Sequence, residues 1–319
     1  MRTVIIVSRI MAAFVAMVSC ICCDTGGRYV TLTGYAQGGV YAVKYNSSGV
    51  KAKPQEVKAA VDSILNAIDF SLSGYNKGSI LSRRNRGEEV EPDRYFREVL
   101  GISERYRELS GGAFNAAAAP VFDIWGFGFT ADSLPSRAAI DSVLAECAKG
   151  NRLNFNAVAQ GYSCDVIAEY LHGLGVHDML VDIGEIYCEG LNAGGEGWSI
   201  GIDTPEDGNN SPGASLSGIW QSDGNACGIV TSGNYRKYYI KDGKKYAHTI
   251  DPRTGYPVDH NLLSATVTAP TGADADALAT WFMVIGFEQA AEYVSGHEGI
   301  EACLITADTL WHSEGFRMR

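Results

Sequence analysis

The sequence lacks the patterns that mark several common protein classes. No Gly-x-Gly-x-x-Gly follows a strand-like run and no Walker-type loop is present, so a dinucleotide would have to bind to another architecture. Among the six histidines we expect no pair at zinc-ligand spacing and therefore no histidine-based metal site. Cys-x-x-Cys spacing, as in zinc ribbons and thioredoxin-type sites, is absent from the five cysteines of the main body, Cys147, Cys164, Cys188, Cys227 and Cys303. We expect these five to be buried free thiols.

Positive charge is also scarce. The chain has 26 Lys and Arg against 37 Asp and Glu, which gives a net charge of −11. Such a surface repels a phosphate backbone and argues against nucleic acid as a partner. A phosphate-bearing cofactor remains compatible with it, because local cations or a bound metal can override the global field. The composition, 46% hydrophobic and 20% charged, is that of a globular protein.

The N-terminus resembles an export signal. Arg2 and Arg9 precede an apolar run over residues 10–18, which is too short to span a bilayer and is typical of a signal-peptide core. Ser19-Cys20 then resembles a bacterial lipoprotein cleavage site, although Met17 stands where Leu or Val is usual. We expect a signal peptide over 1–19, a lipid-anchor tether over 20–34 and one domain over 35–319. Simple secretion with cleavage near Ser19 is the alternative.

Residue periodicity predicts a mixed architecture. Apolar spacing indicates helices over 54–68, 92–109, 135–148, 157–173 and 274–285. Strands are predicted over 38–45, 179–183, 198–203, 262–269 and 301–306, with a hairpin over 235–250 that turns at Asp242-Gly243. Residues 113–130 and 205–214 are predicted to be loops. Hairpins interleaved with helices favour an α+β fold, a single domain of mixed, largely antiparallel sheets packed with helices.

Residues 246–280 contain the clearest candidates for catalytic and metal-binding side chains. His248 precedes a predicted tight turn, and Asp276 and Thr280 are four residues apart on a predicted helix. Residues at that spacing share a helix face, so the two side chains offer two hard oxygen ligands to one cation, as Mg²⁺ prefers. By itself this spacing is weak evidence, because we expect Asp276 in the exposed first turn of its helix, where the helix dipole also favours an Asp.

The two blocks together resemble a known family. His-x-Ile-Asp-Pro-Arg-Thr-Gly-Tyr-Pro over 248–257, followed by Ala-Asp-Ala-Leu-Ala-Thr over 275–280, is similar to the FAD:protein FMN transferases, the ApbE family of flavin transferases. Further matching blocks extend the resemblance from about Gly34 to the C-terminus. It implies Mg²⁺ bound by Asp276, Thr280 and the backbone carbonyl of Ala157. It also implies a role for His248 in proton transfer or phosphate stabilisation.

The resemblance further implies a flavin nucleotide site between the layers of the fold. Tyr75 would stack on the flavin, and the hydroxyls and amides of a Thr-Ser-Gly block would suit phosphate oxygens. Trp125 and Phe127 are expected to be core residues, and Asp274, outside the matched spacing, to be solvated. The expected cofactor-binding residues are Gln37, Tyr75, Ala113, Phe114, Asn115, Asn154, Gln160, Thr231, Ser232 and Ile250.

Four of these positions depart from the family pattern. Asn115 and Asn154 stand where Asp is usual, Gln160 where a charged residue is common, and Gln37 where Met is usual. The departures affect the flavin contacts more than the metal site, where Asp276 and Thr280 are kept.

The implied activity is Mg²⁺-dependent transfer of FMN from FAD to a Thr or Ser hydroxyl of an acceptor protein, with AMP released. The enzyme would be exported and held by a lipid anchor on the periplasmic side of a bacterial membrane. In this family the acceptors are subunits of Rnf and sodium-pumping NADH:quinone reductase complexes. Two alternatives stay open: an FAD pyrophosphatase, which would release AMP without an acceptor, and a flavin-binding lipoprotein without turnover, which would leave FAD intact.

Overall fold

One antiparallel sheet of eight strands forms the centre of the fold. The computed structural model describes residues 28–126, 135–206, 209, 211, 213–235, 238–241 and 244–319. In these ranges the strands of the sheet are β1 (Tyr29–Ala36), β2 (Gly39–Asn46), β3 (Met179–Asp182), β4 (Ile186–Glu189), β7 (Cys227–Gly233), β12 (Leu262–Ala269), β13 (Glu301–Thr306) and β14 (Leu310–His312). They lie side by side in the order β1-β2-β3-β4-β7-β12-β13-β14.

Three two-stranded ribbons accompany this sheet. They are β5 (Ser199–Asp203) with β6 (Leu216–Gln221), β8 (Tyr238–Lys241) with β9 (Lys244–Ala247), and β10 (Ile250–Asp251) with β11 (Tyr256–Pro257). The β5–β6 ribbon contributes Ile202 and Trp220 to a core that also contains Leu180 and Ile229 of the main sheet. Alternation of side chains along a strand leaves the opposite face of the sheet for the helices.

The helices build the second layer. They are α1 (Pro54–Leu72), α2 (Ile80–Asn85), α3 (Arg94–Leu109), α4 (Ala119–Ile124), α5 (Arg137–Cys147), α6 (Ala159–Gly173), α7 (Gly272–Ile285) and α8 (Phe287–Ser295). The helix α7 begins after the N-cap Thr271, whose side chain accepts a hydrogen bond from the Asp274 N–H at 3.0 Å. It contacts β7, β12 and α6 and is buried along most of its length. None of the described helices combines the length and apolar character needed to cross a bilayer.

The predicted α+β class is confirmed, and the strands over 262–269 and 301–306 have the predicted bounds. Two predictions were wrong in part. The tether predicted over 20–34 overlaps strand β1, where Leu32 is buried and pairs with Val43 of β2. The loop predicted over 113–130 contains helix α4, because Pro120 sits in its first turn, where its fixed φ favours helix and its missing N–H costs nothing. The predicted hairpin tip, Asp242-Gly243, and Phe127 lie outside the described residues.

The five cysteines of the main body are free thiols in the structure, as predicted. Four are buried, and Cys227 is partly exposed. Cys188 and Cys227 face each other across β4 and β7, with their sulfur atoms 3.9 Å apart. Burial raises the pKa of the Cys164 thiol, which favours an inert neutral form.

Candidate active site

Two glycines allow α6 and α7 to touch at the centre of the site. A Cβ added to Gly161 of α6 would overlap the carbonyl oxygen of Gly272 and lie 2.8 Å from Cβ of Asp276. A Cβ added to Gly272 would lie 2.5 Å from the carbonyl oxygen of Gly161. The backbones therefore approach more closely than any other residue pair would permit. This contact places the turn before α6 beside the first turns of α7.

Asp276 lies at this junction with only 4% of its surface exposed. Its Oδ2 accepts a hydrogen bond from the Gly161 N–H at 3.1 Å. Gly161 is the third residue of α6, so its N–H has no partner within the helix, and the Asp276 side chain supplies one. Burial raises the pKa of Asp276 to about 7, the Gly161 N–H opposes the rise, and the charge of Asp165 adds to it. Ala157, the other predicted ligand, is partly buried in the turn before α6.

Asp165 is a second, partly buried carboxylate at the junction, and the sequence reasoning missed it. Its two oxygens accept hydrogen bonds from the N–H groups of Gly272 at 2.6 Å and Ala273 at 2.9 Å. Burial raises the pKa of Asp165 to about 7, although these two donors lower it. The first N–H groups of α7 have no partner within that helix, and Asp165 accepts their hydrogen bonds although it lies 107 positions before Gly272 in the chain.

Thr280 is partly buried on α7, one turn beyond Asp276. The i, i+4 spacing predicted from sequence is therefore realised on a helix. Two related expectations were wrong. Asp276 was expected in an exposed first turn, but α7 begins at Gly272, so Asp276 is one turn deeper and buried. Asp274 was expected to be solvated, but it pairs with Arg105 and accepts a hydrogen bond from the Tyr106 hydroxyl at 2.9 Å.

The turn between β3 and β4 brings a third carboxylate, Glu185, which the sequence reasoning also missed. The backbone N–H of Thr231 lies close enough to favour the charged form of Glu185 and so opposes a rise in its pKa. Burial, followed by the charge of Asp276, raises the pKa of Glu185 well above its usual range. Gln160 holds the same turn, because its Nε2 donates to the carbonyl of Ile183 at 2.9 Å. The three carboxylates of the site thus occupy a region whose burial disfavours uncompensated negative charge.

The β1–β2 turn reaches the same end of α6. Gln37 adopts a left-handed backbone conformation, with φ 51°. Its Nε2 donates to Oγ of Ser163 at 2.6 Å, and that hydroxyl donates to the carbonyl of Ala159 at 2.6 Å. A non-glycine residue in this region is uncommon and stores strain. Gln37 is therefore placed against the first turns of α6, beside the candidate metal site.

The hydroxyls predicted to face phosphate lie near the end of β7. Thr231 is exposed, and its Oγ1 lies 2.9 Å from Oγ1 of Thr266 on the neighbouring strand β12. Ser232 follows and is partly buried. Two residues further along, buried Asn234 accepts a hydrogen bond from the Thr249 hydroxyl, which ties the segment of His248 to the end of β7. His248 is partly buried in this segment.

Several predicted cofactor-binding residues use their side chains for structure. Oδ1 of Asn115 accepts from the Ala117 N–H at 2.9 Å, and Oδ1 of Asn154 accepts from the Asn156 N–H at 2.8 Å. An amide oxygen performs this capping role as a carboxylate would, which accounts for Asn in place of Asp. The side chains buried in the core are those of Ala113, Phe114 and Ile250.

The two aromatic predictions have different outcomes. Trp125 is buried and its Nε1 donates to the carbonyl of Gly255 at 2.7 Å, so its predicted core role is confirmed. Tyr75 lies outside the core with 69% of its surface exposed. Its backbone N–H donates to Oγ of Ser73 at 3.3 Å in the turn after α1.

The α6–α7 junction, with its carboxylates, packs against β7, the strand that carries the Thr231 and Ser232 hydroxyls. Comparison with known proteins gives the family of the chain. The model of the ApbE family matches residues 30–304, so the chain belongs to the ApbE family. This confirms the resemblance carried by residues 248–257 and 275–280.

Individual relatives agree over most of their lengths. The FAD:protein FMN transferase of Haemophilus influenzae is 32% identical over 314 residues, which cover 90% of this chain and 89% of that protein. The FAD:protein FMN transferase of Escherichia coli K12 is 32% identical over 299 residues, covering 84% and 83%. The crystal structure of the apo flavinyl transferase ApbE of Pseudomonas stutzeri has a TM-score of 0.78 at 29% identity, covering 92% of this chain and 98% of that one.

Proposed function

We propose that this protein transfers FMN from FAD to a Thr or Ser hydroxyl of an acceptor protein. The observation that carries the proposal is Asp276, a buried carboxylate at the α6–α7 junction in a chain of the ApbE family. In the reaction, the acceptor oxygen attacks the phosphorus next to riboflavin. The bond from that phosphorus to the bridging oxygen breaks, AMP leaves, and the hydroxyl proton is removed.

The donor set at the junction fits Mg²⁺. Carboxylate, hydroxyl and carbonyl oxygens are available from Asp276, Thr280 and Ala157, and hard oxygens are the ligands that Mg²⁺ prefers. Burial raises the pKa of Asp276 and disfavours its charged form, and a bound cation would offset that cost. A bound Mg²⁺ would neutralise pyrophosphate charge at this position. We assign the three residues as its protein ligands.

The remaining groups of the site would bind and orient FAD and the acceptor hydroxyl. The exposed Thr231 and the neighbouring Ser232 offer hydroxyl and backbone donors to phosphate oxygens. His248, tied to β7 through Thr249 and Asn234, is our candidate to take the proton from the acceptor hydroxyl. Tyr75, exposed in the turn after α1, offers a flat face for the isoalloxazine ring.

The acceptor and the location form part of the same proposal. Subunits of Rnf or sodium-pumping NADH:quinone reductase type are the expected acceptors. Lipid attachment at Cys20 would hold the enzyme on the periplasmic side of the membrane, where the Ser19-Cys20 pattern directs it.

The test is incubation of the full chain with FAD, Mg²⁺ and a purified acceptor subunit, followed by mass spectrometry of the acceptor. The proposal requires an FMN adduct on a Thr or Ser and one AMP released for each adduct. Asp276→Ala must abolish the adduct. Asp274→Asn, a matched change two residues earlier on the same helix, must leave it. Release of AMP without any adduct would instead identify a pyrophosphatase, and intact FAD a flavin-binding protein.

A further inference from the structure

Two imidazoles and a carboxylate meet at the end of α6 opposite the flavin transferase site. Nε2 of His172 lies 2.6 Å from Oε2 of Glu189, and Nδ1 of His177 lies 3.5 Å from Oε1 of the same residue. One ligand atom from each of the three side chains falls within 4.8 Å of the other two. From Gly161 to His172 the helix advances about 16 Å, so this cluster is well separated from the Asp276 junction.

The local sequence brings the two histidines together. After α6, the Gly175 N–H donates to the carbonyl of His172 at 2.8 Å and the Val176 N–H to that of Leu171 at 3.1 Å. Gly175 has φ 81°, the left-handed conformation that glycine adopts without a Cβ penalty at helix ends. The chain thus turns back, and the rings of His172 and His177 come to lie 5.5 Å apart.

Strand pairing supplies the carboxylate. In the β3–β4 hairpin, Glu189 pairs with Met179, two residues after His177. The Tyr187 hydroxyl donates to Oε2 of Glu189 at 3.2 Å, and Nε1 of Trp198 donates to its backbone carbonyl at 2.9 Å. Outer contacts of this kind orient ligands in metal sites and tune their basicity.

We infer that His172, His177 and Glu189 form a binding site for a divalent transition-metal ion of the zinc class. Two imidazoles and one carboxylate are borderline donors, which zinc-class ions accept more readily than Mg²⁺ does. The last turn of α6 adds partial negative charge from its carbonyls, which favours a cation there. The side chains of His172 and His177 are 36% and 73% exposed, so an ion can reach them from solvent.

This inference corrects the expectation that no two histidines stand at zinc spacing. His172 and His177 have the His-x4-His spacing, within the range found in zinc sites. The sequence spacing does not reveal the third ligand, Glu189, because only the pairing of β3 with β4 brings it near the two histidines. A bound ion would tie the end of α6 to this hairpin, so it should stabilise the folded chain.

The test is Zn²⁺ titration of the full, metal-stripped chain against a chromophoric chelator, with millimolar Mg²⁺ present to occupy hard-oxygen sites. We expect each of three variants, His172→Gln, His177→Gln and Glu189→Gln, to lower the affinity for one Zn²⁺ equivalent by at least about tenfold. Loss of an outer contact alone already lowers metal affinity 10- to 100-fold. His312→Gln, a matched change at an exposed histidine of β14, should bind like wild type. Cysteines outside the cluster, such as Cys22 and Cys23, are common to all these proteins, so any Zn²⁺ that they bind is the same in every variant.

Thermal unfolding gives an independent readout. Zn²⁺ should raise the Tm of wild type and of Asp276→Ala, and should do so much less in His177→Gln, whose exposed side chain is unneeded for folding. Equal Zn²⁺ affinity and equal Tm shifts in wild type and all three cluster variants would overturn the inference. The cluster would then be an ordinary His–Glu ion pair, and the flavin transferase assignment would be unaffected.

Discussion

The carbonyl oxygen of Gly272 lies where a side chain on Gly161 would begin. This contact lets the Gly161 N–H reach Oδ2 of Asp276 at 3.1 Å and lets Asp165 of α6 bond the first N–H groups of α7. The packing of α6 against α7 therefore also determines the geometry of the candidate metal site. A change that separates the helices should disturb both.

Gly161→Ala should destabilise the fold and reduce flavin transfer. The new methyl group would overlap backbone atoms of Gly272, which cannot move aside as a flexible side chain can, so we expect a loss of about 1–3 kcal/mol or more. Gly173→Ala, at the end of the same helix, has no atom within 4 Å of its added methyl and serves as the control. Chemical denaturation measures both variants. Equal stability of Gly161→Ala and Gly173→Ala would contradict the close contact.

The contribution of Asp276 to the stability of the metal-free chain should fall as pH rises from about 4 to about 7. The folded-state pKa of Asp276 is about 7, against 3.8 for an unperturbed Asp, so the folded chain binds more protons than the unfolded chain in this window. Each unit of pKa shift corresponds to ~1.4 kcal/mol. Asp276→Asn should flatten this dependence in EDTA. A wild type and an Asn variant with parallel Tm–pH curves would show that burial does not raise this pKa.

Tyr75→Ala should weaken FAD binding without changing the Tm. Tyr75 is 69% exposed, so its loss removes little packing, whereas stacking contributes on the order of 1 kcal/mol, or about five- to tenfold in affinity. Fluorescence titration with FAD and a thermal melt measure the two effects. A large fall in Tm with unchanged FAD affinity would assign Tyr75 to packing.

Cys20→Ser should release the protein from membranes. The motivating pattern is the Arg-flanked apolar run that ends at Ser19-Cys20. A single acyl chain gives only marginal binding, so firm retention needs the several chains of a lipoprotein. Fractionation of cells that express wild type and Cys20→Ser tests this. Equal retention of both proteins in the membrane fraction would rule out anchoring at Cys20.

Local patterns in the sequence were enough to predict part of this protein. The helix α1 was recognised from apolar spacing after Pro54, and β12 from its run of β-branched and apolar residues, because each signal lies within one element. Asp276 and Thr280 are also related locally, by one turn of one helix, but the family resemblance and not the spacing alone made them the predicted metal ligands.

Other features depend on contacts between distant residues. Asp165 bonds Gly272 across 107 positions, and Glu185 reaches Thr231 only through the pairing of β4 with β7. A glycine inside a helical pattern, such as Gly161, can indicate a close backbone contact, but the neighbouring sequence does not show that the contact is with Gly272. The burial of Asp276 followed from that packing, which is why an exposed first-turn position was wrongly expected.

The most direct test is the rate of flavin transfer against Mg²⁺ concentration for wild type, Asp276→Ala, Thr280→Ala and His248→Ala. Asp276 supplies the only charge among the proposed protein ligands, so Asp276→Ala should abolish transfer at every Mg²⁺ concentration. Raised Mg²⁺ should partly restore Thr280→Ala, because water can replace a hydroxyl ligand, and His248→Ala should slow transfer with an unchanged Mg²⁺ requirement. Wild-type rates for Asp276→Ala at limiting Mg²⁺ would contradict both the metal site and the mechanism built on it.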